Sequence, residues 1–229
     1  MAKERANQKT NYLSINKDGY LYISSKVPQE GYKKIELKDG RIFYHKTFTS
    51  TEDGFIDYLG IVEKDLSEGG KKKELVIVVK GKSEADMIQI PLYTTKGNLN
   101  GYVKSLASTL PNLDFSREVY FAPSTKLNDR GYVNQSLYIN YVGTEKEFVQ
   151  FAHKAGKDGD IPAAKEVTKM GQKAYDFTEQ DEYLYNILLK EIERFKAFKG
   201  TSTPEPKKTE PVENPIENNP VEEDDDLPF

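Results

Sequence analysis

Asn98-Leu99-Asn100-Gly101-Tyr102-Val103-Lys104-Ser105-Leu106-Ala107-Ser108-Thr109-Leu110-Pro111 is the stretch on which the fold turns. Leu99, Tyr102, Val103, Leu106 and Leu110 recur at helical spacing, which predicts one amphipathic helix with Asn98 as N-cap and Pro111 as its stop. On either side the period changes. Residues 11–93 hold short runs rich in Tyr, Val, Ile and Phe, broken by Gly, Asp, Asn and Pro, and these read as strands. Strands are expected near 55–62, 73–80 and 85–93, and again after the helix at 118–122 and 132–142. In the last, Val133, Leu137, Ile139 and Tyr141 are inward candidates, while Tyr132, Asn134, Ser136, Tyr138 and Asn140 face the other way. The alternation slips where Gln135 falls on the apolar side. Further on, Leu184, Ile187, Leu188, Ile192, Phe195 and Phe198 mark a second, longer helix over 178–199, with Thr178 as N-cap and Asp181 at N3.

The expected class is therefore mainly β with helices, α+β. Strands, one helix, then further strands is the order of an OB-fold, a small barrel that commonly binds oligonucleotides. More strand runs precede Asn98 than the three such a barrel uses, so at least one hairpin is an addition or is not a hairpin at all. The clearest hairpin runs from Tyr32 to Lys38, through Asp39-Gly40, and back from Arg41 to Phe48. Asp-Gly suits a two-residue type I′ turn. That turn sets Lys38 opposite Arg41, Glu36 opposite Phe43, Lys34 opposite His45 and Tyr32 opposite Thr47, with Leu37 beside Ile42 and Ile35 beside Tyr44 on the other face. One face is then apolar. The other, with Tyr32, Lys34, Arg41, Phe43 and His45, is aromatic and basic.

The charge of the whole chain, −4, conceals a division. Gly200 to Phe229 holds Lys207 and Lys208 against nine acids and carries −7, which leaves +3 on residues 1–199. The same segment has six of the eleven prolines and only one aromatic, Phe229. It buries too little apolar surface to offset the entropy of ordering it, so a boundary at Lys199–Gly200 and a disordered acidic tail are expected. The body, 37% of the chain being hydrophobic, has ample material for a core. With no Cys and only His45 and His153, thiol chemistry, thiolate zinc sites and a His-rich metal centre are excluded, and no metal or cofactor is expected. No apolar run approaches the ~20 residues of a membrane span, and the polar start Met1 to Gln8 carries no secretory signal, so no membrane association and a cytoplasmic protein are expected.

The chain closes on Glu222-Glu223-Asp224-Asp225-Asp226-Leu227-Pro228-Phe229, five acids and an apolar tip. A terminal aromatic with its carboxylate can enter a partner's pocket beside a basic group, steered by the acids before it. Asp224, Asp225, Asp226, Leu227, Pro228 and Phe229 resemble the Asp-Asp-Asp-Ile-Pro-Phe tip of bacterial single-stranded DNA-binding proteins, with Leu227 the one departure. The resemblance covers this tip and the general plan of OB-fold, acidic linker and tip. It implies recruitment of replication, recombination and repair proteins. Phage proteins of the T7 type share an acidic tail ending in Phe, so a phage-encoded, divergent member acting in a bacterial host's cytoplasm is expected.

Sequence-tolerant binding of single strands needs aromatic platforms for bases and cations for phosphates. Tyr32, Lys34, Arg41, Phe43 and His45 of the hairpin supply both, and Tyr20, Tyr22, Tyr132 and Tyr138 add rings on other polar strand faces. Lys126 and Arg130 precede Tyr132. Two alternatives remain at this level. A magnesium-dependent nuclease would draw on Asp53, Asp57, Glu63 and Asp65, or on Asp18, Glu36 and Lys38; an acidic-tailed adaptor would touch no nucleic acid. Lys80-Gly81-Lys82-Ser83 is not a phosphate loop, since Val76 stands where its first glycine belongs. Neither histidine has a paired nucleophile, and no enzymatic activity is expected. Oligomeric state is left open, a homo-oligomer included.

Overall fold

The computed structural model describes residues 9–37, 39–65, 70–127, 133–143, 147–156, 158–169 and 172–202. In chain order it has β1 (Lys9–Ile15), β2 (Leu21–Ser25), β3 (Lys33–Glu36), β4 (Ile42–Phe48), β5 (Phe55–Asp65), β6 (Lys71–Lys80) and β7 (Glu84–Pro91). Then come α1 (Gly101–Thr109), a 3-10 turn (Leu110–Asn112), β8 (Val119–Leu127), β9 (Val133–Tyr141), β10 (Glu147–Phe148), β11 (Lys165–Lys169), β12 (Gln172–Asp176) and α2 (Thr178–Ser202). Seven strands make one sheet in the order β3-β4-β2-β1-β7-β6-β5; β10-β9-β8 form a second, and β11-β12 a two-stranded ribbon. β1 runs parallel to β7, and every other named pair is antiparallel.

Period-two burial places the core. Leu75, Ile77 and Val79 of β6 and Ile88 and Ile90 of β7 share one face and are buried. Against that face lie Tyr102, Val103 and Leu106 of α1 and Leu184, Leu188, Ile192 and Phe195 of α2, in one cluster with Phe121, Leu137 and Ile139 of the second sheet. Each such side chain contributes about 1.5–3 kcal/mol on burial. The mainly β, α+β class is as expected. Among the described residues the sheets do not close into a barrel. They meet where Gly54 and Val119 exchange backbone hydrogen bonds of 3.0 and 2.7 Å and where the Thr51 amide donates to the Phe121 carbonyl at 2.9 Å.

Several local expectations change. The hairpin register is one residue off: Lys33 stands opposite His45, Lys34 opposite Tyr44, Ile35 opposite Phe43 and Glu36 opposite Ile42. The Leu37 amide donates to the Arg41 carbonyl and the Gly40 amide to the Leu37 carbonyl, both at 2.9 Å, and Gly40 has φ +82°. That is a three-residue loop over 38–40 with a left-handed glycine at its end, not a two-residue type I′ turn. Lys38 itself lies outside the described residues. Lys34 consequently crosses to the face of Tyr44, away from Phe43 and His45.

The α1 N-cap is Asn100, whose side chain accepts from the Tyr102 amide at 2.9 Å, rather than Asn98. At α2 the N-cap is Phe177 rather than Thr178, its carbonyl receiving the first helical bond from the Asp181 amide, and Asp176 just before it accepts from the Thr178 amide at 2.9 Å. Asp181 reaches α1 instead: it accepts from the Leu99 amide at 2.8 Å and pairs with Lys104 at 2.6 Å. α2 continues to Ser202, past the expected boundary. Val133, an inward candidate, is 58% exposed, because β9 has there run beyond the core. The β11-β12 ribbon and β10 were not legible in the hydrophobic pattern.

Candidate functional site

β1 and β2 pair only at Ser14–Tyr22 and Ile15–Leu21, next to their connecting turn. From there they part. β1 follows β7, Lys9 to Leu13 matching Glu84 to Ile88, and β2 follows β4, Leu21 to Ser25 matching Phe48 to Tyr44. The gap between them is a cleft of about 600 Å³. Tyr12, Tyr22, Tyr32, Phe43 and Phe48 line it together with Lys9, Lys26 and Lys46.

Three expected residues, Tyr22, Tyr32 and Phe43, therefore come together in this cleft. His45 stands behind Tyr22, their rings stacked with centroids 4.5 Å apart and planes at 26°. Its Nε2 is buried and has no hydrogen-bond partner among the described residues, and burial holds the imidazole below its ordinary pKa. His45 thus supports a ring and brings no charge. Lys34 is exposed on the opposite face and pairs with Glu36 at 3.3 Å, and Arg41 is engaged by Asp39 at 2.6 Å. Asp39 is held below the usual carboxylate range, first by the Arg41 amide.

The other candidates lie elsewhere. Tyr20 borders a second cleft, about 200 Å³, where the β1-β2 turn meets Ser124 and Thr125 of β8. Tyr138 packs edge-on against Phe148, centroids 6.4 Å apart, and Lys126 is exposed near the end of β8. Arg130, Tyr132 and Asp224 to Phe229 lie outside the described residues.

At its β7 end the cleft is acidic. Asn11 donates to Glu84 at 2.8 Å and to Asp86 at 3.0 Å, and Asp86 also accepts the Glu52 amide at 2.8 Å. Hydrogen bonds from Asn11 and then Lys9 hold Glu84 below its usual pKa; burial, then the charges of Asp86, Glu84 and Asp53, pushes Glu52 up. Among the described residues no three His, Asp or Glu side chains are placed to hold a metal ion. Of the carboxylates considered for a nuclease, Asp57 pairs with Lys199 and Glu63 with Lys71.

No protein-family model matches the chain, and neither a curated protein nor a solved structure does. No helix among the described residues is long and apolar enough to cross a membrane. Sequence reading missed Tyr12, Lys9, Lys26 and Lys46. The alternation Thr10, Tyr12, Ser14 signals a ring on a polar strand face, but its meeting with β2 and β4 depends on the long-range pairing of β1 with β7.

Proposed function

We propose that this chain binds single-stranded DNA with little sequence preference, and that Asp224 to Phe229 recruit replication, recombination and repair proteins in the manner of bacterial single-stranded DNA-binding proteins. The observation that carries the first part is the cleft between β1 and β2, with Tyr12, Tyr22, Tyr32 and Phe43 beside Lys26 and Lys46, while Lys9 is engaged by Glu84 at 3.3 Å. Rings supply faces for bases, and lysines at the rim neutralise phosphates. The acids at the β7 end disfavour phosphate there, so the backbone runs on the lysine side and the bases turn inward. The tip rests on sequence alone, as does a bacterial or phage origin in a host cytoplasm.

The finer fold reading is a divergent OB-fold in which β5, β6 and β7 are the three-strand meander, α1 the helix and β8-β9 the closing pair. Its support is this order together with the Gly54–Val119 bridge. β1 to β4 are then the addition, and the candidate cleft is built mainly on it.

The test is binding of the full chain to labelled single-stranded and duplex DNA over a salt series, with magnesium present and product integrity checked. Tighter binding to the single strand, log-linear weakening with salt and an intact ligand are expected. Phe43→Ala with Tyr32→Ala should cost about 1–3 kcal/mol per lost stack. Neither ring belongs to the buried core cluster, so the fold should be retained. Equal affinity for duplex and single strand removes the stacking argument; degradation of the ligand favours the nuclease.

A further inference from the structure

On the sheet face turned away from the helices, Tyr12 of β1, Met87 of β7, Val78 of β6 and Tyr58 of β5 stand directly opposite one another in register. Tyr12 is 54% exposed and Tyr58 42%, with the two aliphatic side chains half-buried between them. Three strand spacings of about 4.8 Å put the two tyrosines about 14 Å apart. The Tyr58 ring leans along its strand over Gly60, where a β-carbon would lie 2.6 Å from the phenol oxygen. One side of the ring is thus held against backbone, and the other is presented outward.

The charge on this face is cationic. Outward positions of β6 run Lys72, Glu74, Val76, Val78 and Lys80, with Lys64 of β5 opposite Lys72. Glu74, the acid of this group, is buried and held by Lys64 at 2.7 Å and Lys72 at 3.7 Å. Glu84 and Asp86 alternate with Ala85 and Met87 and so belong to the other face. Tyr12 lines the cleft and also begins the row, so the two surfaces are continuous.

We propose that this row is a second segment of the single-strand path, in which bases leave the cleft at Tyr12 and lie across β7 and β6 to Tyr58. Phosphates run beside the lysines at the two ends of β6. The proposal rests on the reading of the cleft as a single-strand site and extends it to a face that the hydrophobic pattern alone reads as a half-buried sheet surface.

The chain has no tryptophan, so Tyr58→Trp places a unique fluorophore on the row. The full-length variant, with its thermal melt checked, is titrated with labelled oligothymidylate of roughly 16 nucleotides, at the long end of single-strand site sizes. Binding is followed by anisotropy and by tryptophan emission. Quenching that saturates with binding is expected, and Tyr58→Ala should weaken affinity about tenfold while Tyr58→Phe retains it. Binding without a change in emission overturns the proposal and leaves the cleft reading intact. Absence of binding by the unmodified chain overturns both. Emission that shifts with protein concentration in the absence of DNA shows that a second copy covers the face, and also overturns it.

Discussion

The ring of Tyr22 stacks on the imidazole of His45 across β2 and β4, with centroids 4.5 Å apart. Because Tyr22 is opposite Thr47 and His45 opposite Ser24, the contact is a diagonal one across an antiparallel pair. Burial keeps His45 neutral below its ordinary pKa of about 6.5. Below that value the unfolded chain takes up a proton that the folded chain resists, so this contribution to stability is complete above pH ~6.5 and declines as the pH falls through it. His45→Phe keeps a ring beneath Tyr22 and removes the titration. Melting curves at about pH 5 and about pH 7.5 should therefore show a smaller acid loss for the variant than for the parent. An unchanged difference would mean that other groups carry the acid sensitivity.

Gly19 joins the two sheets. It has φ +79°, and a β-carbon there would lie 2.6 Å from the backbone nitrogen of Thr125. Gly19→Ala therefore meets both a left-handed backbone and the main chain of β8, which cannot swing aside as a side-chain tip would. A loss of about 2 kcal/mol or more is expected from denaturant midpoints. Gly31→Ala is the control: it has a similar φ, +80°, but nothing within 4 Å, so its cost should be confined to backbone strain.

Asp181 ties α2 to the start of α1. Leu99 is 2% exposed, so its amide has little access to water if the carboxylate is removed. Asp181→Ala should cost about 1.5–3 kcal/mol, as expected for a buried hydrogen bond to a charged group. Asp181→Asn keeps an acceptor for Leu99 and loses only the ion pair with Lys104, so it should cost less. Chemical denaturation of the two variants side by side checks the order. Equal losses would assign the whole effect to the Lys104 pair.

Removal of residues 203–229, which takes away the acidic run and leaves α2 whole, should raise affinity for single strands at low salt. The acids otherwise compete for the same lysines at high local concentration. The difference should shrink as the Debye length falls from ~30 Å at 0.01 M towards ~8 Å at physiological salt. Deletion of Phe229 alone removes no acidic side chain and should leave DNA binding nearly unchanged, while capture of replication and repair proteins in a pull-down is lost with the aromatic anchor. Retention of the same partners would show that charge alone suffices.

Local pattern carries far in this protein. The periodicity of Leu184, Ile187, Leu188 and Ile192 was enough to place α2, that of Tyr102, Val103 and Leu106 was enough for α1, and the β-branched run of β6 was enough for its central strand, because burial repeats with the period of the element. The charge division between residues 1–199 and 200–229 is likewise a property of composition. The hairpin register was not legible, since Asp39-Gly40 serves equally as a two-residue turn or as the end of a three-residue loop. The choice follows from how β4 docks on β2. Asp181 reads as a helix cap and proves to be a bond between helices, because a carboxylate at a helix start can turn to whichever buried amide comes within reach. The cleft belongs to tertiary structure entirely. It exists because β1 leaves β2 after two residue pairs to run parallel with β7, about 75 residues away in sequence, and long-range pairing of that kind leaves no local periodicity to read.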